Sequence, residues 1–272
     1  MGSAPRPKPP GPEVRSSLEG HVGLVELCRP PHNFVDRDLL TAIADAMEGL
    51  GTASECRVIV VAAEGRSFCA GANFTNPGSQ VAPDGSVQET FKGLAEHIYG
   101  QAERIFAVER PSVAAVHGPA VGAGLGLAVA CDLRVSCPEA FFAANFVRLG
   151  IHPGFALSLT LPALIGPGRT ADMLLTGRRV GGEEAARIGL VERLVPQGEV
   201  RAAAVDLARQ IAEAAPLGVE ATRRTLRAGL LPRIREAIAA EIEEQVRLIG
   251  TDDAAEGIAA MLQRRTPDFH GR

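Results

Sequence analysis

An α/β core followed by an all-helical C-terminal region is the fold class that the sequence predicts. Two observations carry it. Apolar, β-branched runs at residues 58–63 and 112–116 alternate with helix-periodic stretches at 36–50 and 87–108. From residue 200 onward only helical periodicity remains. Strands alternating with helices, then helices alone, is the pattern of an α/β unit with a helical appendage. The chain has 272 residues, 46% apolar and 22% charged, which suits one globular domain with such an appendage.

Residues 1–12 are Pro-rich without apolar periodicity and predict a disordered leader, ahead of a core over 13–199 and a helical region over 200–272. Runs at 14–18 and 22–27 flank Glu19-Gly20 and predict a hairpin. Arg29-Pro30-Pro31-His32-Asn33 breaks the chain before a helix over 36–50, where Leu39, Leu40, Ile43 and Met47 recur at helical spacing. The strand at 58–63 leads into a loop carrying Phe68-Cys69-Ala70-Gly71-Ala72-Asn73. Gly, Pro, Asn and Ser crowd residues 75–86 and predict a mobile loop. The next helix, 87–108, is expected to bury Leu94, Ile98, Ile105 and Val108. Strands are predicted at 133–136 and 140–143, a loop at 145–155, and helices at 156–165, 169–176 and 183–188. Helices at 200–215, 217–230 and 232–262 complete the chain, the last interrupted near Gly250.

Residues 111–132 organise the rest. A short buried strand ends at the turn His117-Gly118-Pro119, and Gly122-Ala123-Gly124 opens a small-residue helix over 125–131 that stops at Asp132. A helix start presents unpaired N–H groups and the positive end of the dipole, so it can hold developing negative charge. The same glycines also serve tight helix–strand packing. A dinucleotide signature would need a third glycine where Leu127 stands, and a phosphate loop would need a Lys-Ser/Thr pair after the glycines. Neither is present.

The net charge of −4 offers no basic footprint for nucleic acid. No apolar run approaches the ~18 residues of a membrane span, and the N-terminus has no signal-peptide core, so no membrane partner is expected. Five cysteines without metal-ligand spacing predict buried thiols in a reducing cytoplasm and no metal site. With no Trp and one Tyr, the core is expected to be aliphatic and Phe.

Four segments, in order, give the chain a resemblance. Phe68 to Asn73 resembles an F-x-A-G-A-D loop, and residues 111–132 resemble P-x-x-A-A-V-x-G-x-A-x-G-G-G ending in C-D. Thr176-Gly177-Arg178 with Ala185 to Leu190 resembles a downstream L-T-G and A-x-x-x-G-L-V pattern. Thr251-Asp252-Asp253, Glu256-Gly257 and Phe269 resemble a C-terminal D-D-x-x-E-G and F signature. These are motifs of the crotonase superfamily, the enoyl-CoA hydratase/isomerase family. The resemblance spans residues 14–269 and implies a spiral of β-β-α repeats with a C-terminal helical trimerisation region. It implies an acyl-CoA substrate, no permanently bound cofactor, and a homotrimer or dimer of trimers. It also implies that the backbone N–H groups of Ala72 and Ala123 receive the thioester oxygen. Fixed amide donors there stabilise the charge that enolate or tetrahedral chemistry develops, about 3–4 kcal/mol for one donor. Ala70, Asn73, Phe74, Gly122 and Phe269 map to the coenzyme A contacts, with Asn73 standing where many members have Asp.

The chain departs from the hydratase pattern. Hydratases of this family use two glutamates, as base and acid, on a water. Gly126 and Phe146 stand at those positions, and Gly154 stands where some isomerases and a dehalogenase carry Asp. Two other side chains are candidates for moving a proton. His152, in the loop near those positions, has an imidazole, a group that titrates near neutral pH; its bland alternative is a loop histidine bonded to a backbone carbonyl. Glu103 maps to a catalytic histidine of a dehalogenase relative; its alternative is a solvated helix-face glutamate beside Arg104. His97 and Tyr99 are candidates for lining the acyl pocket, with packing or surface roles as the alternative. Asp132 and His117 are expected to be structural. Phe141, Phe142, Phe146 and Phe155 suggest an apolar lining around the second glutamate position. The reading is therefore an acyl-CoA enzyme doing isomerase, hydrolase, decarboxylase or lyase chemistry rather than hydration. Its alternative is a non-catalytic acyl-CoA-binding or scaffolding relative.

Overall fold

The computed structural model describes residues 13–73 and 87–272. The expected leader at 1–12, the loop at 75–86 and Phe74 lie outside the described residues. Val14–Glu19 (β1) and Val22–Leu27 (β2) pair antiparallel as the predicted hairpin. Asp36 caps Arg37–Thr52 (α1), its Oδ1 accepting from the Leu39 amide at 3.0 Å. Val58–Ala63 (β3) lies parallel to β2. Val87–Ala107 (α2) then leads to Ser112–Val116 (β4), parallel to β3. The next strand, Ala120–Val121 (β5), belongs to a second sheet, and Ala123–Ala130 (α3) returns the chain to Leu133–Ser136 (β6) beside β4. Phe141–Ala143 (β7) rejoins the second sheet, parallel to β5. A 3-10 turn at Asn145–Leu149, then Leu157–Ile165 (α4) and Pro167–Thr176 (α5), precede Arg179–Gly181 (β8), which pairs antiparallel with β7. Gly182–Arg187 (α6) precedes Arg193–Leu194 (β9), and the first sheet runs β1-β2-β3-β4-β6-β9. Stepping between two sheets in this way is the β-β-α spiral. Among the described residues no helix is long and apolar enough to cross a membrane.

The first sheet is covered on both faces, which is why β3 and β4 are continuous apolar runs rather than alternating ones. Successive side chains point to opposite sides. Ile59, Val61, Ala114 and Val116 join Leu39, Leu40, Ile43 and Met47 of α1 in one cluster. Val58, Val60, Val113 and Ala115 pack on the other side with Val200, Ala204, Leu207 and Ala208 of Val200–Glu213 (α7). The helices from residue 200 onward thus divide. α7 is part of the core, and Pro216–Leu226 (α8), Leu230–Ile249 (α9) and Asp252–Gln263 (α10) form the region beyond the sheet. Asp132 ties the two parts together, its Oδ2 accepting from the Ser112 amide and from Arg223 Nε, both at 2.8 Å, while Oδ1 pairs with Arg227 at 2.8 Å. His117 bonds the Gly65 carbonyl at 3.0 Å.

The buried face of α2 differs from the expected one. Ala95, Tyr99, Ala102, Ile105 and Phe106 are buried, whereas Leu94 and Ile98 are only half-buried. The helix lies between α1 and α9. Small Ala95 and Ala102 allow close packing, and Tyr99 can be buried because its hydroxyl has a partner.

α3 starts at Ala123, two residues earlier than predicted, with Gly122 as N-cap at φ 55. It is pressed against the segment after β3 so closely that a Cβ on Gly124 would lie 2.1 Å from the Cys69 carbonyl oxygen. Gly124→Ala is therefore expected to destabilise the chain by about 1–3 kcal/mol, in the range of core overpacking. A chemical-denaturation midpoint equal to that of the parent chain would contradict that contact.

Candidate active site

Two chain segments meet beside α3. The Val121 amide donates to Cys69 O at 3.0 Å, and the Cys69 amide donates to Pro119 O at 3.1 Å. On its other side the first segment is held by Val35 N–H on Gly71 O at 2.8 Å and Ala70 N–H on His32 O at 2.9 Å. Gly122 N–H donates to Ala143 O at 2.9 Å. Gly71, at φ +83, presses on the second segment: a Cβ there would lie 2.8 Å from Val121 O and 3.9 Å from Gly122 Cα. The residues that follow each glycine, Ala72 and Ala123, are consequently neighbours. Neither amide finds an acceptor among the described residues, and both residues are partly exposed. For Ala123 the reason is its place as first residue of α3, where no intrahelical acceptor exists. Two free donors from separate segments, one at a helix start, can receive a single anionic oxygen.

Three positions singled out in the sequence, 126, 146 and 154, carry or meet aromatic side chains. Gly126 lies one turn along α3, and a Cβ on it would sit 2.4 Å from Cγ of Phe155. Phe146 brings its Cζ to 3.7 Å from the Cβ position of Gly122. A Cβ on Gly154 would sit 2.0 Å from the Tyr99 hydroxyl. Phe155 and Ala156 both have left-handed backbones, φ 63 and 56, which non-glycine residues rarely adopt. Glu241 of α9 holds this turn: the Ala156 amide donates to Oε2 at 2.7 Å, and the Ser158 amide and hydroxyl donate to Oε1 at 3.0 and 2.5 Å. One turn along α9, Gln245 accepts from the Tyr99 hydroxyl at 2.9 Å and donates to His152 O at 2.7 Å. Glu241 is 1% exposed. Burial pushes its carboxyl above the usual range, opposed by the Ser158 and Ala156 donors and by His152. Burial, with Glu241 nearby, also raises the Tyr99 phenol.

Sequence reasoning missed Glu241 and Gln245, because a glutamate on a long helix is ordinarily a surface residue. The available signal was their place on the stripe of Ile234 and Ile238, the buried face of α9.

The other predicted residues are distributed as follows. The His152 ring bonds Pro153 O through Nδ1 at 2.8 Å, the contact expected of a loop histidine, and a neutral ring donating there keeps Nε2 as an acceptor. Glu103 is engaged by Arg235 of α9, Oε1 to Nε 2.6 Å, so its carboxylate braces α2 on α9. His97 turns to Thr41 of α1, 3.1 Å from its hydroxyl. Ala70 and Asn73 flank Ala72 on the first segment, and Gly122 precedes Ala123. Phe269 is 39% exposed on a C-terminal tail whose anchoring bonds run to α10, from Asp268 N–H to Glu256 at 2.9 Å and from His270 N–H to Asp253 at 2.7 Å. Burial pushes the Cys69 thiol up to about 12, which makes it a poor nucleophile. Glu26, Cys28 and Glu64 bring their ligand atoms within 4.8 Å of one another, but Glu26 is taken by the guanidinium groups of Arg15 and Arg201.

The fold is a β-β-α spiral in which two amides without an acceptor among the described residues stand side by side, an arrangement able to receive one anionic oxygen. The comparisons with known proteins give the family. Residues 17–272 match the family profile described as Enoyl-CoA hydratase/isomerase. The chain is 31% identical over 261 residues to the 2,3-dehydroadipyl-CoA hydratase of Escherichia coli (strain K12), covering 96% of this chain and 99% of that one. It is 33% identical over 259 residues to the carnitinyl-CoA dehydratase of Salmonella typhi, covering 93% and 96%. An enoyl-CoA hydratase structure from Mycobacterium avium subsp. paratuberculosis K-10 superposes with a TM-score of 0.83 at 29% identity, covering 96% of this chain and all of that one. The chain belongs to the enoyl-CoA hydratase/isomerase family, the crotonase superfamily, whose members are acyl-CoA-processing enzymes.

The raised Glu241 carboxyl sets a pH dependence. Its folded-state value lies above the ordinary 4.5, so the folded state holds the proton more tightly than the unfolded chain. That contribution is full below the ordinary value and is lost as pH rises through the folded one. Glu241→Gln cannot titrate. The stability of the parent chain relative to this variant should therefore fall as pH rises from about 4.5. A stability difference that stays flat in denaturation series at stepped pH would contradict the shift.

Proposed function

We propose that the chain acts on an acyl-CoA thioester whose carbonyl oxygen is held by the amides of Ala72 and Ala123, and that its reaction is not hydration. The observation that carries this reading is the pair of neighbouring amides without acceptors. A reaction that builds negative charge on the thioester oxygen, by enolate formation or by attack at the carbonyl, gains from such donors. Double-bond isomerisation, decarboxylation, hydrolysis and C–C cleavage are all of this kind. Hydration needs an acid and a base on the water as well. Gly126 and Phe146, where the resemblance maps the two glutamates, supply neither, and the Phe155 ring covers Gly126. The names of the relatives speak for hydration and dehydration; Gly126 and Phe146 speak against it in this chain.

His152 is the side chain assigned to proton transfer, with Nδ1 committed to Pro153 O and Nε2 left to take a proton. Glu103 is left out of the chemistry because of its ion pair with Arg235. By the family resemblance, Ala70, Asn73, Gly122 and Phe269 contact coenzyme A, which is the substrate's carrier, and no resident cofactor is needed. The assembly is a homotrimer or a dimer of trimers in the cytoplasm. Its support is α8, which buries none of its residues within one chain and leaves Leu217 80% and Leu226 81% exposed.

The test is a panel of acyl-CoA thioesters, with binding read by thermal shift and turnover by mass spectrometry. Binding raises the melting temperature by mass action. Crotonyl-CoA hydration should fall below an ordinary hydratase rate by at least about 10²–10⁴-fold, the usual worth of a positioned acid or base. His152→Ala should lower turnover of the true substrate by a comparable about 10²–10⁴-fold while leaving the binding shift in place. Ordinary hydratase turnover would contradict the reading, and an unchanged His152→Ala rate would remove His152 from the proton step.

A further inference from the structure

One helical turn along α3 from the amide pair, the interior is filled by side chains, with Phe155 fully buried. Gly126 is three residues beyond the Ala123 donor, and the Phe155 ring covers it. Behind Phe155 stands Phe106, with ring centroids 6.3 Å apart. The hydroxyl end of Tyr99 covers neighbouring Gly154. Two aromatic side chains thus form one wall, and neither is held by apolar packing alone. Phe155 sits in a left-handed pair with Ala156, an arrangement that persists only where the surroundings over-determine it. The surroundings here are the three hydrogen bonds that Glu241 accepts from Ala156 and Ser158. Gln245 fixes the Tyr99 hydroxyl and the His152 carbonyl at the same time, joining the ring to the loop.

We propose that Tyr99 and Phe155 are the specificity-determining wall of the acyl site, and that they close it to long acyl chains while admitting short ones. Glu241 and Gln245 are positioning residues, acting through the wall rather than on the ligand. The inference rests on the thioester reading above and names its acyl class. Without the two α9 side chains the 150–156 loop relaxes, Phe155 withdraws from Gly126, and the site deepens.

Tyr99 is the chain's one tyrosine and there is no tryptophan, so tyrosine emission reports this wall alone. The experiment uses the full chain and compares the parent with Phe155→Ala, Gln245→Leu and Glu241→Gln. Acetyl-CoA and octanoyl-CoA affinities are measured by titration calorimetry, and acrylamide quenching of the emission is measured without ligand. The parent should prefer acetyl-CoA, and Phe155→Ala should shift the affinity ratio toward octanoyl-CoA by about tenfold or more, the scale on which pocket size discriminates methylenes. Gln245→Leu and Glu241→Gln should move the ratio in the same direction and make the emission more quenchable. A general loss of stability would weaken both ligands equally and leave the ratio alone. A parent preference for octanoyl-CoA, or a ratio unmoved in Phe155→Ala, overturns the proposal. Should Phe155→Ala fail to fold, the Gln245→Leu ratio decides in its place. If neither thioester binds the parent, the thioester reading fails with the acyl class it names; unchanged quenching in both α9 variants would separately overturn their positioning role.

Discussion

The carbonyl oxygen of Cys69 lies so near Gly124 that a methyl group there would come within 2.1 Å of it. This approach brings the start of α3 against the end of the segment after β3, and the site depends on it. Strand pairing alone would align Cys69 with Ala120, but it would not place the first turn of a helix beside Ala72. Gly71 and Gly124 lack the side chains that would hold the segments apart, and Gly71 and Gly122 take positive φ. The donors themselves are backbone groups. Any side chain that spares the geometry can stand at 72 and 123, which is why alanine serves at both.

Rings crowd the neighbourhood of that pair. Phe155 covers Gly126, Phe146 approaches Gly122, and the Tyr99 hydroxyl covers Gly154. An apolar wall weakens competition from water, and an amide–oxyanion interaction is stronger in such surroundings. The same wall removes the groups that would orient a water for addition. The chain shares about a third of its residues with proteins named as a hydratase and a dehydratase, while Gly126 and Phe146 carry no carboxylate. A buried carboxyl survives at Glu241, but it comes from α9 and is spent on the 155–158 backbone.

Much of this was legible in the residues. β3 and β4 are almost entirely apolar, largely β-branched runs, and their bounds follow from composition. The Gly-rich turn and the F-C-A-G-A-N loop announced the amide pair through their small residues. β5, β8 and β9 were not legible, since strands of two or three residues have no period to read. Nor was the Phe155–Ala156 turn, because nothing in Phe-Ala signals a left-handed backbone that only distant Glu241 sustains. The buried face of α2 was partly misplaced because Tyr99 was weighed as a pocket-lining residue with packing or surface as alternatives, whereas it packs inward and Gln245, 146 residues away, satisfies its hydroxyl.

The central claim is that the amides of Ala72 and Ala123 hold a thioester oxygen. Isotope-edited infrared spectroscopy of an acyl-CoA labelled with ¹³C at the thioester carbonyl reads that contact on the bound ligand. The account predicts that the carbonyl stretch moves to lower frequency on binding, and that Gly124→Ala, which displaces one donor, reverses the shift. A bound thioester whose carbonyl stretch stays at its position in water would contradict it.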